Sequence, residues 1–322
     1  MKKLLTKIKE LELEIKENEP LKKYTTFRIG GPAKVFLEVE DENKLSQILK
    51  IAKEEKLNFF IIGGGTNLLI SGKGFDGLVI KLKPGELEFN QTEVKVGAGY
   101  LLTLLLNQAL DKGLVGMEFA SGIPGTVGGA IKGNAGTFGE AMDKIVVKVN
   151  YLDENLESKT LTNQECKFSY RSSIFENHKD WIIISALLKL EEGDTEASRK
   201  VIKERLQYRL DNHPVGAFCG GSFFKNIIYT EEIAGKLRSL NIDLPEKFKK
   251  YKKIPAAFVI EELGLKGQQI GQAQMSEKHA NYLLNLGEAT ADEVIQLASF
   301  IKQQVRDKAG IQLEEEVRYV GF

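Results

Sequence analysis

The chain has 322 residues, too many for one small module and, at about 150 residues per domain, enough for two or three. Its 45 basic residues cancel 45 acidic ones, so it lacks the cationic excess of a nucleic-acid coat or a basic membrane-surface protein. Hydrophobic content of 42% and charge of 28% read as soluble and globular, with core enough to need no disulfide or metal staple.

The N-terminal run MKKLLTKIKELELEIKENEP is too charged for a signal peptide. Leu4, Ile8, Leu11 and Ile15 recur at helical spacing, which predicts an amphipathic helix. A strand is predicted over 35–40, then a helix from Asp41 with Leu45, Ile48, Leu49 and Ala52 on one face. A buried strand over 59–62 runs into GGGTNLLI. Further strands are predicted over 78–82, 93–97, 145–152 and 181–190, and helices over 101–111 and 195–212.

After Pro214 the character changes. A glycine-flanked turn, CGGSFFKN, precedes helices near 230–240 and 256–263. Thr290 and Glu293 then form a capping box for a long helix with Val294, Leu297, Ala298, Ile301 and Val305 as its stripe and Gly310 as its stop. The final run, IQLEEEVRYVGF, alternates as a strand with Gln312, Glu314, Glu316 and Arg318 on one face. Strands and helices mix without a regular βαβα rhythm, so the expected class is α+β, with a domain boundary near 195–214. The longest uncharged windows, 57–72 and 96–110, fall short of the roughly 20 residues of a spanning helix. Cys166 and Cys219 are far apart and form no CxxC, which suits a reducing compartment, the cytoplasm by default.

Glycine is clustered: of 31, 18 lie between Gly63 and Gly139, where scattered turns would spread them. GKGFDG matches the dinucleotide fingerprint GxGxxG but leads into LVIKL, a strand, whereas the fingerprint must open a helix. VGAGYLL has the strand, glycines and helix but puts Leu102 at the third glycine. IIGGGTNLLI is more informative, because consecutive glycines expose N–H groups that can form an anion-cradling nest; the alternative is a tight β-turn. ASGIPGTVGGAIKGNAG has one ionised side chain, Lys132, and no amphipathic period. A chain so small-sided can lie flat on a large ligand with its amides on phosphate oxygens. Two such loops suit a long diphosphate-bearing cofactor; the alternative is close packing of backbone on backbone.

Three motifs carry reactive side chains. FSYRSSIF sets Arg171 among aromatics and hydroxyls, company in which arginine commonly grips a carboxylate or phosphate in bidentate fashion; the alternative is a surface arginine with a packed stem. GGSFFKN places Ser222 after two glycines with Lys225 three residues on. It is not GxSxG, and with only three histidines a serine hydrolase is a weak reading, but an oriented serine can donate a proton beside a cation. In LEEEV the adjacent glutamates repel, so one can titrate high enough to act as an acid; the alternative is a solvated edge. HExxH, paired cysteines and a Walker lysine are all lacking.

Taken in order, YTTFRIGGPA, GGGTNLLI, GMEFASGIPGTVGGAIKGNAG, FSYRSSIF, GGSFFKN, LKGQQIGQAQMSEKHAN and IQLEEEVRYVG resemble the UDP-N-acetylenolpyruvoylglucosamine reductases, the MurB family of peptidoglycan synthesis. The likeness runs from about Tyr24 to Gly321. The helix read from the spacing above is set before it as an N-terminal element, 1–23; the likeness implies an FAD-binding domain of the vanillyl-alcohol-oxidase (PCMH) type over 24–194 in two subdomains split near 80, and a smaller α+β substrate domain over 195–322. It implies FAD held by Gly63, Gly64, Gly65, Thr66, Asn67, Ile123, Gly125, Thr126, Gly128 and Gly129, with NADPH as co-substrate. Arg171 and Glu316 are implied at the substrate carboxylate, Ser222 as proton donor, and Lys225, Asn226 and His279 near the other polar groups of the UDP-sugar enolpyruvyl ether. Reduced flavin N5 is implied to give hydride to the vinyl CH₂.

The sequence departs from the family pattern at three positions: Ile227 follows SFFKN where proline is usual, Glu315 replaces the proline of LEPEV, and Gln272 replaces a glycine. Between Arg171 and Ser222 there is no room for the tyrosine loop of the longer class, so the chain resembles the shorter class there, yet 228–255 is longer than that class carries. Another FAD oxidoreductase of the same fold, acting on a sugar or hydroxy acid, is the alternative. A non-catalytic sugar-nucleotide binder is a further one.

Overall fold

The computed structural model describes residues 2–322 and divides into two compact units. The first holds the chain up to Glu19 together with Ala33–Gly65 and Phe75–Arg209; the second holds Pro20–Pro32, Thr66–Gly74 and Leu210–Phe322. Short early stretches thus join the C-terminal residues, where composition alone sets one boundary near 195–214. The cause is long-range pairing: Arg318–Val320 forms a parallel ladder with Leu68–Ile70, and the Gly31 amide donates to the Ser71 carbonyl.

The first unit is built on two larger sheets. One is four-stranded, in the order Lys16–Pro20, Pro32–Val39, Phe75–Leu82, Phe59–Ile62, and its last two pairings are parallel. The helix Glu42–Glu54 covers it, capped by the Asp41 carboxylate, which accepts from the Lys44 amide at 2.7 Å. Leu45, Ile48, Leu49 and Ala52 are buried on its inner face, as their spacing predicts. They share a core with Val35, Leu37, Leu78 and Ile80. The second sheet is five-stranded and antiparallel, in the order Ser158–Thr162, Val146–Leu152, Ile182–Lys189, Glu93–Gly97, Leu87–Asn90. Leu102, Leu105, Leu106 and Ala109 of the helix Leu102–Asp111 pack in its core.

The N-terminal helix is shorter than the 1–23 expected. It spans Lys2–Glu10, buries Leu4 and Ile8, and stops before Glu12, whose φ of 55° is left-handed. Leu13 and Ile15 then pack against the same core from extended chain, and Lys16–Pro20 is an edge strand. A hydrophobic spacing that also fits alternation was resolved by the sheet edge.

The second unit is built on a four-stranded antiparallel sheet, Phe218–Ser222, Tyr282–Asn285, Ala273–Met275, Gln269–Ile270. The helix Ala291–Ala309 lies in its core with Val294, Leu297, Ala298, Ile301 and Val305 buried. Both halves of the Thr290–Glu293 capping box form, and Gly310 ends the helix at φ 62°. The long 228–255 segment folds into the helices Glu231–Ser239 and Glu246–Lys250, and contributes Leu237, Ile242, Phe248 and Ile254 to this core. The terminal strand is shorter than expected: its ladder covers only Arg318–Val320, with a single bridge at Glu315 before it. Among the described residues no helix is long and apolar enough to cross a membrane.

Candidate active site

The residues singled out by sequence divide between the units. Gly63, Gly64, Gly65, Ile123, Gly125, Thr126, Gly128, Gly129 and Arg171 belong to the first; Thr66, Asn67, Ser222, Lys225, Asn226, His279 and Glu316 belong to the second.

In the first unit the two glycine loops touch. A Cβ added at Gly63 stands 2.7 Å from the Thr126 hydroxyl, so only a residue without a side chain fits. Thr126 is buried and caps the short helix Val127–Lys132, its hydroxyl accepting from the Gly129 amide at 3.4 Å. The sequence reads this stretch as irregular, because Gly128 and Gly129 are poor helix formers. Burial of Val127, Ala130 and Ile131 overrides that propensity. Gly128 lies against Ala98, with room for no methyl: its Cβ would meet the Ala98 Cβ at 2.8 Å. Gly65 at φ 62° and Gly125 at φ 125° take conformations that disfavour side chains. In the second loop the Val127 and Gly128 amides donate to the Tyr100 and Ala98 carbonyls and the Gly129 amide to Thr126, so this loop offers a lining without side chains, while the N–H groups of the Gly63–Gly65 turn are the candidate donors. The loops 61–65 and 120–131 contain no carboxylate. Such a cradle fits a diphosphate. Ile123 is a partial exception, since its side chain packs against the core of this unit.

Arg171 sits at the tip of a tight turn. Ser169 and Ser172 bridge each other across it, and Arg171 takes φ 55°. Its guanidinium lies over the Tyr170 ring at 5.3 Å. Two bonds tie the turn to the end of the Val127–Lys132 helix: Asn134 Nδ2 donates to the Ser169 carbonyl at 3.0 Å, and the Ser173 hydroxyl donates to the Lys132 carbonyl at 2.7 Å. The arginine and the second glycine loop are thus fixed to one another.

In the second unit, two extended segments run antiparallel. Phe224 and Glu315 form a bridge, the Glu316 amide donates to the Phe223 carbonyl at 2.8 Å, and the Lys225 amide donates to the Glu314 carbonyl at 2.8 Å. Ser222, next to Phe223, and Glu316 are thereby seated on adjoining strands. Ser222 ends the strand Phe218–Ser222, opposite Tyr282 and just after a bulge where Gly221 takes φ 81°. What sequence reads as a glycine-flanked turn is a strand that kinks at the serine.

Several expected ligand residues also have structural partners. The Asn67 side-chain amide donates to the Glu316 carbonyl at 3.0 Å, and the Asn67 carbonyl accepts from the Arg318 amide. The Thr66 carbonyl accepts from Thr26 Oγ1 at 3.4 Å. Lys225 Nζ lies 3.3 Å from Glu314. Asn226 Oδ1 accepts from the Ala256 amide at 3.4 Å. Arg318, expected on the face of Glu316, is half-buried, and burial pushes its guanidinium down to about 10.

The stretch His279–Tyr282 holds the serine strand in place. Asn281 is buried; its Oδ1 accepts from the Phe224 amide at 2.9 Å and its Nδ2 donates to the Phe224 carbonyl at 2.8 Å. Its own carbonyl accepts from the Phe223 amide at 2.7 Å. His279 Nδ1 accepts from the Asn281 amide, and burial lowers the pKa of that imidazole. The His279 ring packs on His213 at 4.7 Å between centroids, and His213 Nδ1 lies 2.8 Å from the Tyr282 hydroxyl. Asn281, Tyr282 and His213 escape a reading of the sequence. Asn281 stands inside the quoted HAN run, but only His279 has the reactive chemistry that draws notice.

Comparison with known proteins gives consistent findings. Residues 213–320 match the family model described as UDP-N-acetylenolpyruvoylglucosamine reductase, C-terminal domain, and residues 33–157 match an FAD binding domain. The curated UDP-N-acetylenolpyruvoylglucosamine reductase of Caldanaerobacter subterraneus is 40% identical over 321 residues, 99% of this chain and 98% of the relative. That of Solibacter usitatus is 38% identical over 312 residues, 96% of this chain and 97% of the relative. Among solved structures, UDP-N-acetylenolpyruvylglucosamine reductase (MurB) from Thermus caldophilus superposes with a TM-score of 0.74 at 30% identity, covering 96% of this chain and 99% of the other.

Proposed function

Since the chain belongs to the UDP-N-acetylenolpyruvoylglucosamine reductase (MurB) family, we propose that it is an FAD oxidoreductase that uses NADPH to convert the enolpyruvyl ether of UDP-N-acetylglucosamine to UDP-N-acetylmuramate, a step of peptidoglycan synthesis. It thereby serves cell-wall biogenesis, cell shape and division. The observation that carries the reading is the bond from the Glu316 amide to the Phe223 carbonyl, which seats an acid and the Ser222 hydroxyl on neighbouring strands. The sheet-built first unit is read as the FAD-binding domain, and the second as the substrate domain.

The Gly63–Gly65 loop would hold the FAD diphosphate through backbone N–H groups, and the Thr126–Gly129 turn, whose Val127, Gly128 and Gly129 amides are engaged within the unit, would line it closely for want of side chains, a fit supported by the contact of the two loops and their lack of carboxylates. Bound FAD supplies the two-electron store that NADPH fills and the substrate double bond empties. The work of the chain is then electrostatic. As electrons enter the double bond, negative charge spreads into the substrate carboxylate. Arg171 is assigned to grip that carboxylate, and its tether to Asn134 and Ser173 supports a fixed orientation. Glu316 is assigned, by motif match, to the same group. Ser222 delivers a proton to the carbon bearing the ether oxygen, and its bulged, Asn281-clamped strand supports a hydroxyl held in place before the reaction. Lys225, Asn226 and His279 are assigned to the remaining polar groups of the substrate. The reading keeps the enzyme in the cytoplasm, where NADPH and nucleotide sugars are made.

Purified protein tests this directly. It is expected to be yellow, and under anaerobic conditions to oxidise NADPH beyond one equivalent per bound flavin only when the enolpyruvyl sugar nucleotide is added. NADPH oxidation that follows oxygen and ignores that substrate contradicts the proposal.

A further inference from the structure

Glu314, Glu315 and Glu316 stand in a row on an extended segment bridged to Phe224. Alternation along extended chain sends Glu315 to the face opposite Glu314 and Glu316. There its carboxylate meets Lys302 of the long terminal helix, Nζ to Oε1 at 3.1 Å, with the two side chains only 31% and 22% exposed. The Tyr319 hydroxyl shares this carboxylate, and burial together with the Glu315 charge raises its pKa. On the other face Glu314 pairs with Lys225 and is 72% exposed. The two ion pairs differ in consequence. Water can replace the lysine beside Glu314, whereas a carboxylate as withdrawn as Glu315 is destabilised if its cation is removed.

We propose that Lys302, acting through Glu315, is a positioning residue for Glu316; this rests on the reading that Glu316 holds the substrate carboxylate. Glu315 is directly opposite Phe224, and the bonds on either side of it, Glu316 amide to Phe223 carbonyl and Lys225 amide to Glu314 carbonyl, set the register of the segment. Successive residues of an extended chain are only about 3.3 Å apart, so a Glu315 that swings towards water takes Glu316 with it. The other end of the tether is firm. Lys302 belongs to a 19-residue helix whose Ile301 and Val305 are buried. The ion pair therefore fastens the acid-bearing strand to the most regular element of the unit.

The test follows the two half-reactions of purified holoenzyme by rapid mixing: flavin reduction by NADPH, then reoxidation by the enolpyruvyl sugar nucleotide. Lys302→Ala is expected to slow reoxidation about 10- to 100-fold, with bound flavin and its reduction unchanged. Lys302→Arg restores most of the rate, and so does Glu315→Gln added to Lys302→Ala, since no withdrawn charge then lacks a cation. Unchanged reoxidation in Lys302→Ala, or a parallel loss of both half-reactions and of flavin, overturns the inference. Lys302→Gln serves where Lys302→Ala does not fold: a several-fold slower reoxidation is expected, and an unchanged rate overturns the inference. Glu316→Ala separates the two levels. Normal reoxidation in that variant removes the underlying reading, whereas a crippled Glu316→Ala beside an unaffected Lys302→Ala removes the positioning role alone.

Discussion

Along 120–136 the only ionised side chain is Lys132, whereas along 314–318 four residues of five are charged. The glycine-loop region of the first unit works by what it leaves out: no Cβ at Gly63 to strike Thr126, none at Gly128 to strike Ala98. The strand pair of the second unit works by what it holds in place, with Asn281 on Phe224 and Lys302 on Glu315. The two regions are therefore vulnerable to opposite changes. One is damaged by adding atoms and the other by removing them.

Adding atoms to the first region is expected to have the largest effect. Gly63→Val drives a branched side chain into the Thr126 hydroxyl, 2.7 Å from the Cβ position. The variant is expected to purify without flavin, read from the ratio of flavin to protein absorbance. A fully yellow variant breaks the assignment of the loops to the cofactor. Removing atoms from the second region is expected to cost stability first. Asn281→Leu preserves bulk but leaves the Phe224 N–H and C=O without their side-chain partner, at about 1–3 kcal/mol for each buried group. Denaturant midpoints of the holoprotein measure this. An unchanged midpoint means that the clamp is not what holds the serine strand.

Elements specified locally were legible in the sequence. The capping box at Thr290, the apolar stripe through Val305 and the stop at Gly310 sit within one helix and need no partner to be read. The small-sided loops were legible as places where chain packs closely without side chains, because their composition is itself the signal. Pairings across long separations left no such trace. Asn281 reaches Phe224 across 57 residues, and Asn67 reaches Glu316 across 249. Neither asparagine differs in its neighbours from a turn residue, so only the folded chain exposes the clamp. Local ambiguity explains the other differences. Leu11, Leu13 and Ile15 fit a helix or an extended edge equally, and the left-handed Glu12 decides for the edge. Gly128 and Gly129 disguise a helix that tertiary burial imposes.

The division between the regions is tested most directly by Ser222→Ala in rapid-mixing experiments on the holoenzyme. The variant is expected to bind FAD and to accept electrons from NADPH at the parent rate, while reoxidation by the enolpyruvyl sugar nucleotide falls about 10²- to 10⁴-fold, the usual worth of a positioned proton donor. Slow flavin reduction with normal reoxidation would contradict the assignment of proton delivery to this serine.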